Sequence, residues 1–132
     1  MRPELEFAAR AGDAEAVADL LDRGVDIDSL DRHGQTALML AAHGGHAPVV
    51  EFLAARGARL DVTAKWGLSA LMLAIIAGHV PAASALVRAG ADLSLRGSGG
   101  TPGFHDKTAY DLAMERGMDT LCSEIRARTA TR

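Results

Sequence analysis

The sequence is poor in cysteine, and this shortage excludes two kinds of structural cross-link. Cys122 is its single cysteine, so the chain cannot form an internal disulfide. It also has no Cys-x-x-Cys pair or His/Cys spacing of the kind that holds structural zinc. A single thiol favours a reducing compartment, and a cytoplasmic location is therefore expected.

Long hydrophobic runs are missing as well. The longest apolar run, residues 70–77, is far too short to cross a bilayer. The N-terminal segment contains Arg2, Pro3 and Glu4 in place of the unbroken apolar stretch of a signal peptide. The sequence therefore predicts a soluble protein that does not enter a membrane.

Neither sign of charge is in large excess, and one amino acid is absent altogether. Lysine and arginine total 14 against 17 acidic residues, with no block of like charges, so nucleic acid is not expected as a partner. The chain has no asparagine, and arginine outnumbers lysine 12 to 2, which indicates GC-rich coding and a bacterial source. Its 132 residues suffice for one compact domain and are too few for two of ordinary size.

An internal repeat is the strongest pattern that is present. Residues 34–62 align with residues 67–95 without a gap at an offset of 33, and 13 of the 29 positions are identical. Residues 5–28 match the same template in part, and residues 108–117 match it only if an insertion is admitted within residues 96–105. A period of this length is the signature of a repeat architecture.

Each copy predicts two short helices followed by a projecting loop. Thr36 is placed to cap the first helix, residues 38–42 supply its apolar stripe, and the Gly44–Gly45 pair ends it. Pro48 suits the first turn of the second helix, which Gly57 ends. Because one such helix pair cannot enclose a core, stability must come from the stacking of successive pairs.

These residues resemble the ankyrin repeat. The resemblance rests on the 33-residue period and on motifs that recur in phase, namely Asp31-x-x-Gly34-x-Thr36-Ala37-Leu38, Leu40-Ala41-Ala42, Gly45-His46 and Gly57-Ala58. It covers residues 3–126 and implies an all-α ankyrin-repeat solenoid of four stacked helix-turn-helix units with projecting hairpin loops. The customary asparagine of the repeat is replaced by Asp28, Asp61 and Ser94, whose side-chain oxygens can support the same turns.

The resemblance also divides the chain, which is expected to be a single domain over residues 1–132. The units are expected at residues 1–30, 31–63, 64–96 and 97–132, with an N-terminal and a C-terminal capping repeat. Terminal repeats need a polar outer surface. The polar residues at the two ends are Arg2, Glu4, Arg10, Asp13, Glu15 and Asp19, and Glu124, Arg126 and Arg128. The array is therefore expected to be complete.

A catalytic constellation is not recognisable in this sequence. GxxxxGK[ST] phosphate loops and the HExxH zinc motif are absent, and no pair of carboxylates is expected to converge. His46 and His79 occupy one repeat position and are predicted to be structural, and Cys122 is predicted to be a small core residue. We expect no cofactor, no metal and no enzymatic activity. The remote alternative is a metal-dependent enzyme that uses His33, His43 and His105.

The resemblance implies a concave groove, lined by the loop tips and the exposed side of the first helices, that binds a protein partner. The predicted partner-binding residues are Arg32, His33, Gln35, His43, Lys65, Trp66, Leu68, Ile76 and, at the end of the insertion, Phe104. Trp66 lies at a loop tip where the repeat requires no aromatic residue, and Leu68 and Ile76 are expected to add exposed apolar surface beside it. Arg10, Arg32 and Lys65 give the groove a basic edge that favours a partner with exposed carboxylates.

Several alternatives stay open at this point. Trp66 can instead fold over the neighbouring loop, and the insertion at residues 96–105 can be a simple length variation of a surface loop. The protein can be a versatile interaction module or a dedicated inhibitor or stabiliser of one neighbouring enzyme or toxin. A monomer is expected, with weak self-association through the apolar patch as an open alternative.

Overall fold

The chain folds into a stack of helix pairs. The computed structural model describes residues 1–99 and 103–130, in which it contains eight α-helices and no strand. The helices are α1 (Pro3–Ala11), α2 (Ala14–Asp22), α3 (Ala37–His43), α4 (Ala47–Ala55), α5 (Ala70–Ile76), α6 (Val80–Ala89), α7 (Ala109–Glu115) and α8 (Asp119–Ala130). They form four helix-turn-helix units, numbered one to four along the chain. The predicted all-α solenoid is confirmed, whereas the residue at which each unit begins stays a prediction.

The first helix of three units begins at a hydroxyl cap. The Thr36 side chain accepts a hydrogen bond from the Met39 amide at 3.2 Å, and Ser69 accepts one from the Met72 amide at 3.3 Å. Thr108 accepts one from the Asp111 amide, also at 3.2 Å. Each bond satisfies an amide that has no partner inside the helix, so the predicted cap is confirmed and recurs from unit to unit.

The second helices begin and end as the glycine and proline positions predict. Pro48 and Pro81 lie in the first turn of α4 and α6, where a missing amide hydrogen costs no helical hydrogen bond. Gly57 and Gly90 follow the ends of these helices with φ angles of 87° and 100°, in the left-handed region that glycine adopts without strain.

The core lies between the units and is built from equivalent positions. The first helices α1, α3, α5 and α7 contact one another in that order, and α2, α4, α6 and α8 do the same. One position of the second helix is buried in every unit, and it carries Val17, Val50, Ala83 and Cys122. The prediction that Cys122 is a core residue is therefore confirmed. Stacking of this kind buries surface that no single helix pair can cover.

Carboxylates hold neighbouring loops together, in a way that differs from the expectation. We expected Asp28 and Asp61 to support turns within their own loops. Instead, Asp28 accepts a hydrogen bond from the Arg59 amide at 2.9 Å, and Asp61 accepts one from the Asp92 amide at 2.8 Å. Each bond joins a loop to the equivalent loop of the next unit. A carboxylate oxygen accepts from a backbone amide as an asparagine oxygen does, which explains how the substitution is tolerated.

The N-terminal end of the stack is less polar than expected. Its charged residues are exposed, as predicted for a capping repeat, but the Phe7 side chain is 76% exposed among them. In the other units this position carries Leu40, Leu73 and Leu112, all of which are buried. The polar outer surface at this end is therefore interrupted by Phe7, an apolar residue at a position that is buried in the three later units.

Candidate functional site

The loop tip of the second unit is a tight turn built around one aspartate. Asp31 accepts hydrogen bonds from the amides of His33 and Gln35 at 2.8 and 2.9 Å. The Asp31 amide in turn donates to the Gln35 carbonyl at 2.9 Å, which closes the turn. The side chains of Arg32 and His33 are left exposed at its tip.

The loop tip of the third unit has the same closure but a more strained backbone. The Ala64 amide donates to the Leu68 carbonyl at 3.0 Å, and the Gly67 amide donates to the Ala64 carbonyl, also at 3.0 Å, which closes a tight turn around Lys65 and Trp66. Trp66 has a φ of 64° and a ψ of 19°, a left-handed backbone conformation that residues other than glycine rarely adopt. The turn holds Lys65 and Trp66 outward at the tip.

An open cavity of about 380 Å³ lies between the two loop tips. Its lining consists of Arg32, His33, Gln35, Ala64, Lys65, Trp66, Leu68 and Leu73. The structure therefore brings together most of the residues predicted to bind a partner. Sequence reasoning missed Ala64 and Leu73. Ala64 directly precedes the predicted Lys65, whereas the repeat register gives no signal for Leu73.

Leu68 does not supply the exposed apolar surface that was expected of it. Its side chain is 4% exposed and forms part of the cavity lining, because the residue directly precedes the buried cap Ser69 and packs into the core. Ile76 is half-buried against the core, and His43 is exposed at the end of α3. Neither Ile76 nor His43 lines the cavity, so Trp66, at 38% exposure, carries the apolar surface of this site.

The insertion packs against Trp66. The Phe104 ring lies 5.9 Å from the Trp66 ring, centroid to centroid, with an angle of 39° between their planes. The Ser98 amide donates to the Trp66 carbonyl at 2.6 Å, and a Cβ added to Gly99 would lie 3.0 Å from Trp66 Cδ1. Trp66 thus folds over the neighbouring loop, as one alternative held, and remains partly exposed at the cavity. Part of the insertion, residues 100–102, lies outside the described residues.

Two cations at the cavity have no carboxylate partner among residues 1–99 and 103–130. Within the described residues, neither Arg32 nor Lys65 forms an ion pair; the Lys65 ammonium instead lies 4.5 Å from the centre of the Trp66 ring. Arg10 was expected to contribute to the same basic edge. It lies 3.4 Å from Glu6 and 3.8 Å from the buried Asp31 carboxylate, so those two acids offset its charge. The basic edge of the groove therefore consists of Arg32 and Lys65.

The histidines do not form a metal site in the part of the chain that the structure describes. Among these residues, no three His, Cys, Asp or Glu side chains are grouped so that they could hold a metal ion, so His33, His43 and His105 are not brought together. His46 instead forms a hydrogen bond from Nε2 to the Arg10 carbonyl at 2.9 Å. This bond joins the second unit to the first, which agrees with the structural role predicted for His46.

The thiol of Cys122 is sequestered in the core of the fourth unit. Its exposure is 1%. Burial raises the pKa of the Cys122 thiol, and the nearby Asp119 carboxylate acts in the same direction. A raised pKa keeps the sulfur protonated near neutral pH, which is the opposite of what nucleophilic catalysis requires.

Comparison with known proteins agrees with this architecture. A family model described as ankyrin repeats in three copies matches residues 5–97, more than half of the chain, and the match ends before α7 and α8. No curated protein matches the sequence. Over the described residues, none of the helices has the length and apolar character to span a bilayer. Ankyrin repeats are generally protein–protein interaction modules and typically non-catalytic. The chain belongs to the ankyrin-repeat family.

Proposed function

We propose that the protein is a non-catalytic interaction module that binds an acidic segment of a protein partner at the loop tips of its second and third units. The observation that carries the proposal is the pair of cations, Arg32 and Lys65, beside a partly exposed tryptophan at one cavity. A partner carboxylate at this cavity would face two positive charges, and no carboxylate of the described residues neutralises them.

The energetics of the site favour this use. The attraction between two opposite charges is stronger at a partly enclosed surface than in bulk water. Complementary charge also raises the rate of association. Tryptophan is enriched among the residues that dominate interface energy, where truncation costs about 2 kcal/mol or more. Because Phe104 and the Ser98 amide hold Trp66 in place, less side-chain freedom is lost on binding.

The test compares two double variants that remove the same charge. Arg32→Ala with Lys65→Ala removes both cations of the site. Arg23→Ala with Arg59→Ala removes two arginine charges that lie away from the cavity. Each protein is immobilised and exposed to a lysate of the source organism, and captured proteins are identified by mass spectrometry. We expect wild type and control to capture a partner that the site variant loses, with capture weakening as salt is raised.

The outcomes separate the alternatives. Equal capture by both double variants places the binding site elsewhere and refutes the proposal. One partner in fixed 1:1 ratio favours a dedicated inhibitor or stabiliser of one enzyme or toxin, whereas several partners favour a versatile module. Circular dichroism must first show that both variants keep the helical content of the wild type.

We further propose that α7 and α8 form a fourth, C-terminal repeat. Support comes from the Thr108 cap and the buried Leu112, Leu121 and Ile125, which fill positions of the earlier units. A cytoplasmic location and a bacterial source are proposed on composition alone.

A further inference from the structure

Equivalent positions in the units reveal which side chains face the preceding unit. The residues equivalent to Phe7 in the second, third and fourth units are Leu40, Leu73 and Leu112, and all three are buried. Phe7 itself is exposed because, in the described structure, no helix pair precedes the first unit. A side chain that is covered in every later unit and open only in the first must point toward the N-terminal end of the stack.

Two further residues behave in the same way and complete an apolar surface. Ala16 and Leu20 are half-buried in α2, whereas their counterparts in the later second helices are fully buried. A shallow cavity of about 620 Å³ lies here, lined by Pro3, Glu4, Phe7, Ala8, Asp13, Ala16, Asp19 and Leu20. We call this surface the N-terminal face.

Acidic groups surround the N-terminal face. Glu4, Asp13 and Asp19 line its cavity. Within the described residues, Glu4 and Asp13 have no basic partner, and Asp19 pairs only with Arg23 at 3.1 Å across an exposed surface. A ligand of this face therefore needs an apolar centre and at least one positive charge.

The opposite end of the stack has these properties. Met114 is 53% exposed, yet its counterparts Ala9, Ala42 and Ile75 are buried, so this position points toward the C-terminal end. Tyr110 lies beside it in α7, and the Arg126 guanidinium sits 6.0 Å from the centre of the Tyr110 ring. Arg126 has no carboxylate within ion-pair distance in the described chain. Tyr110, Met114 and Arg126 are named the C-terminal face.

We propose that the N-terminal face of one copy stacks on the C-terminal face of a second copy, as each unit stacks on the one before it. Phe7 and Leu20 would then pack against Met114 and Tyr110, and Arg126 would lie near the acidic rim. Pairing of two N-terminal faces is disfavoured, because it opposes like charges. The contact is head-to-tail, so it leaves a free face at each end and adds further copies as concentration rises.

Mixing of two blocked variants tests the proposal on purified protein. Phe7→Glu blocks the N-terminal face, and Met114→Glu with Arg126→Glu blocks the C-terminal face. In sedimentation velocity, we expect the mean mass of the wild type to rise with concentration and each variant alone to stay a monomer. A mixture of the two variants retains one complementary pair of faces and is expected to form a 1:1 dimer that grows no further.

The same measurement can overturn the proposal in two ways. A wild type that stays monomeric at all concentrations rules out self-docking and leaves the face to a different occupant. Two monomeric variants that do not combine on mixing rule out the head-to-tail arrangement. Asp19→Arg serves as a second variant of the N-terminal face, because it reverses an exposed charge and breaks only the exposed ion pair with Arg23. The groove variant Arg32→Ala with Lys65→Ala should associate as the wild type does, which separates this surface from the partner site.

Discussion

At the scale of single residues, two glycines make room for histidine rings between units. The His46 ring fills the space where Gly12 would carry a Cβ, and the His79 ring does the same at Gly45. Both glycines also have positive φ angles, of 74° and 76°. The Gly-His pairs of the repeat therefore serve packing between units, since a glycine of one unit receives the histidine of the next.

Replacement of Gly45 by alanine should cost more than the same change at Gly57. Both positions have positive φ, so each substitution adds backbone strain of about 1 kcal/mol. At Gly45 the new Cβ would also lie 2.5 Å from His79 Nδ1, whereas nothing lies within 4 Å at Gly57. We expect Gly45→Ala to lower the free energy of unfolding by roughly 1–3 kcal/mol more. Urea titration followed by circular dichroism measures the difference, and equal losses would show that the His79 ring moves freely.

At the scale of elements, the projecting loops form a hydrogen-bonded row along the stack. Asp28 and Asp61 each reach the backbone of the following loop, so the loops are tied to one another as well as to their own helices. Such a bond constrains the relative position of the loop tips. The bond from Asp28 to the Arg59 amide joins the two loops that carry Arg32 and Lys65, the two cations of the proposed site.

Removal of one of these links should weaken the stack measurably. Asp61→Ala leaves the Asp92 amide without this acceptor, and we expect a loss of about 1 kcal/mol in unfolding free energy. Asp61→Asn keeps an acceptor oxygen in the same place and should retain most of the stability. Asp22→Ala breaks an exposed ion pair with Arg56 and should cost less. Thermal unfolding of the three variants ranks them; an Asp61→Ala variant as stable as Asp61→Asn would contradict the role of the bond.

The elements were more predictable from sequence than the site. Glycine, proline and hydroxyl positions act through local backbone geometry, so the Thr36 cap and the ends of the helices follow from the repeat alone. The burial of Leu68 and the pairing of Arg10 with Asp31 depend on neighbours distant in sequence, and the repeat register does not encode them. The contact between Trp66 and Phe104 was equally inaccessible, because the insertion breaks the period that would have placed it.

At the scale of the whole molecule, one repeat position has opposite consequences in different units. Glutamate at Leu40 would bury a charge between the first two units and should cost more than about 4 kcal/mol, enough to prevent folding. Glutamate at the equivalent Phe7 should change stability by less than about 0.5 kcal/mol, because that side chain faces solvent. Circular dichroism and urea unfolding of the two variants test this. A Phe7→Glu variant as unstable as Leu40→Glu would mean that the N-terminal face is covered within the monomer.

The stacking of neighbours also sets how the chain can fold. Helix contacts run between partners of one unit or between adjacent units, and the loop links Asp28 to Arg59 and Asp61 to Asp92 each span 31 residues. Contacts between helices thus stay within about one repeat length of sequence, and contacts of limited sequence separation are associated with rapid folding. The first interface involves only α1 to α4, so its contacts can begin to form during synthesis once residue 55 has left the ribosome, before the groove and its tryptophan have been synthesised.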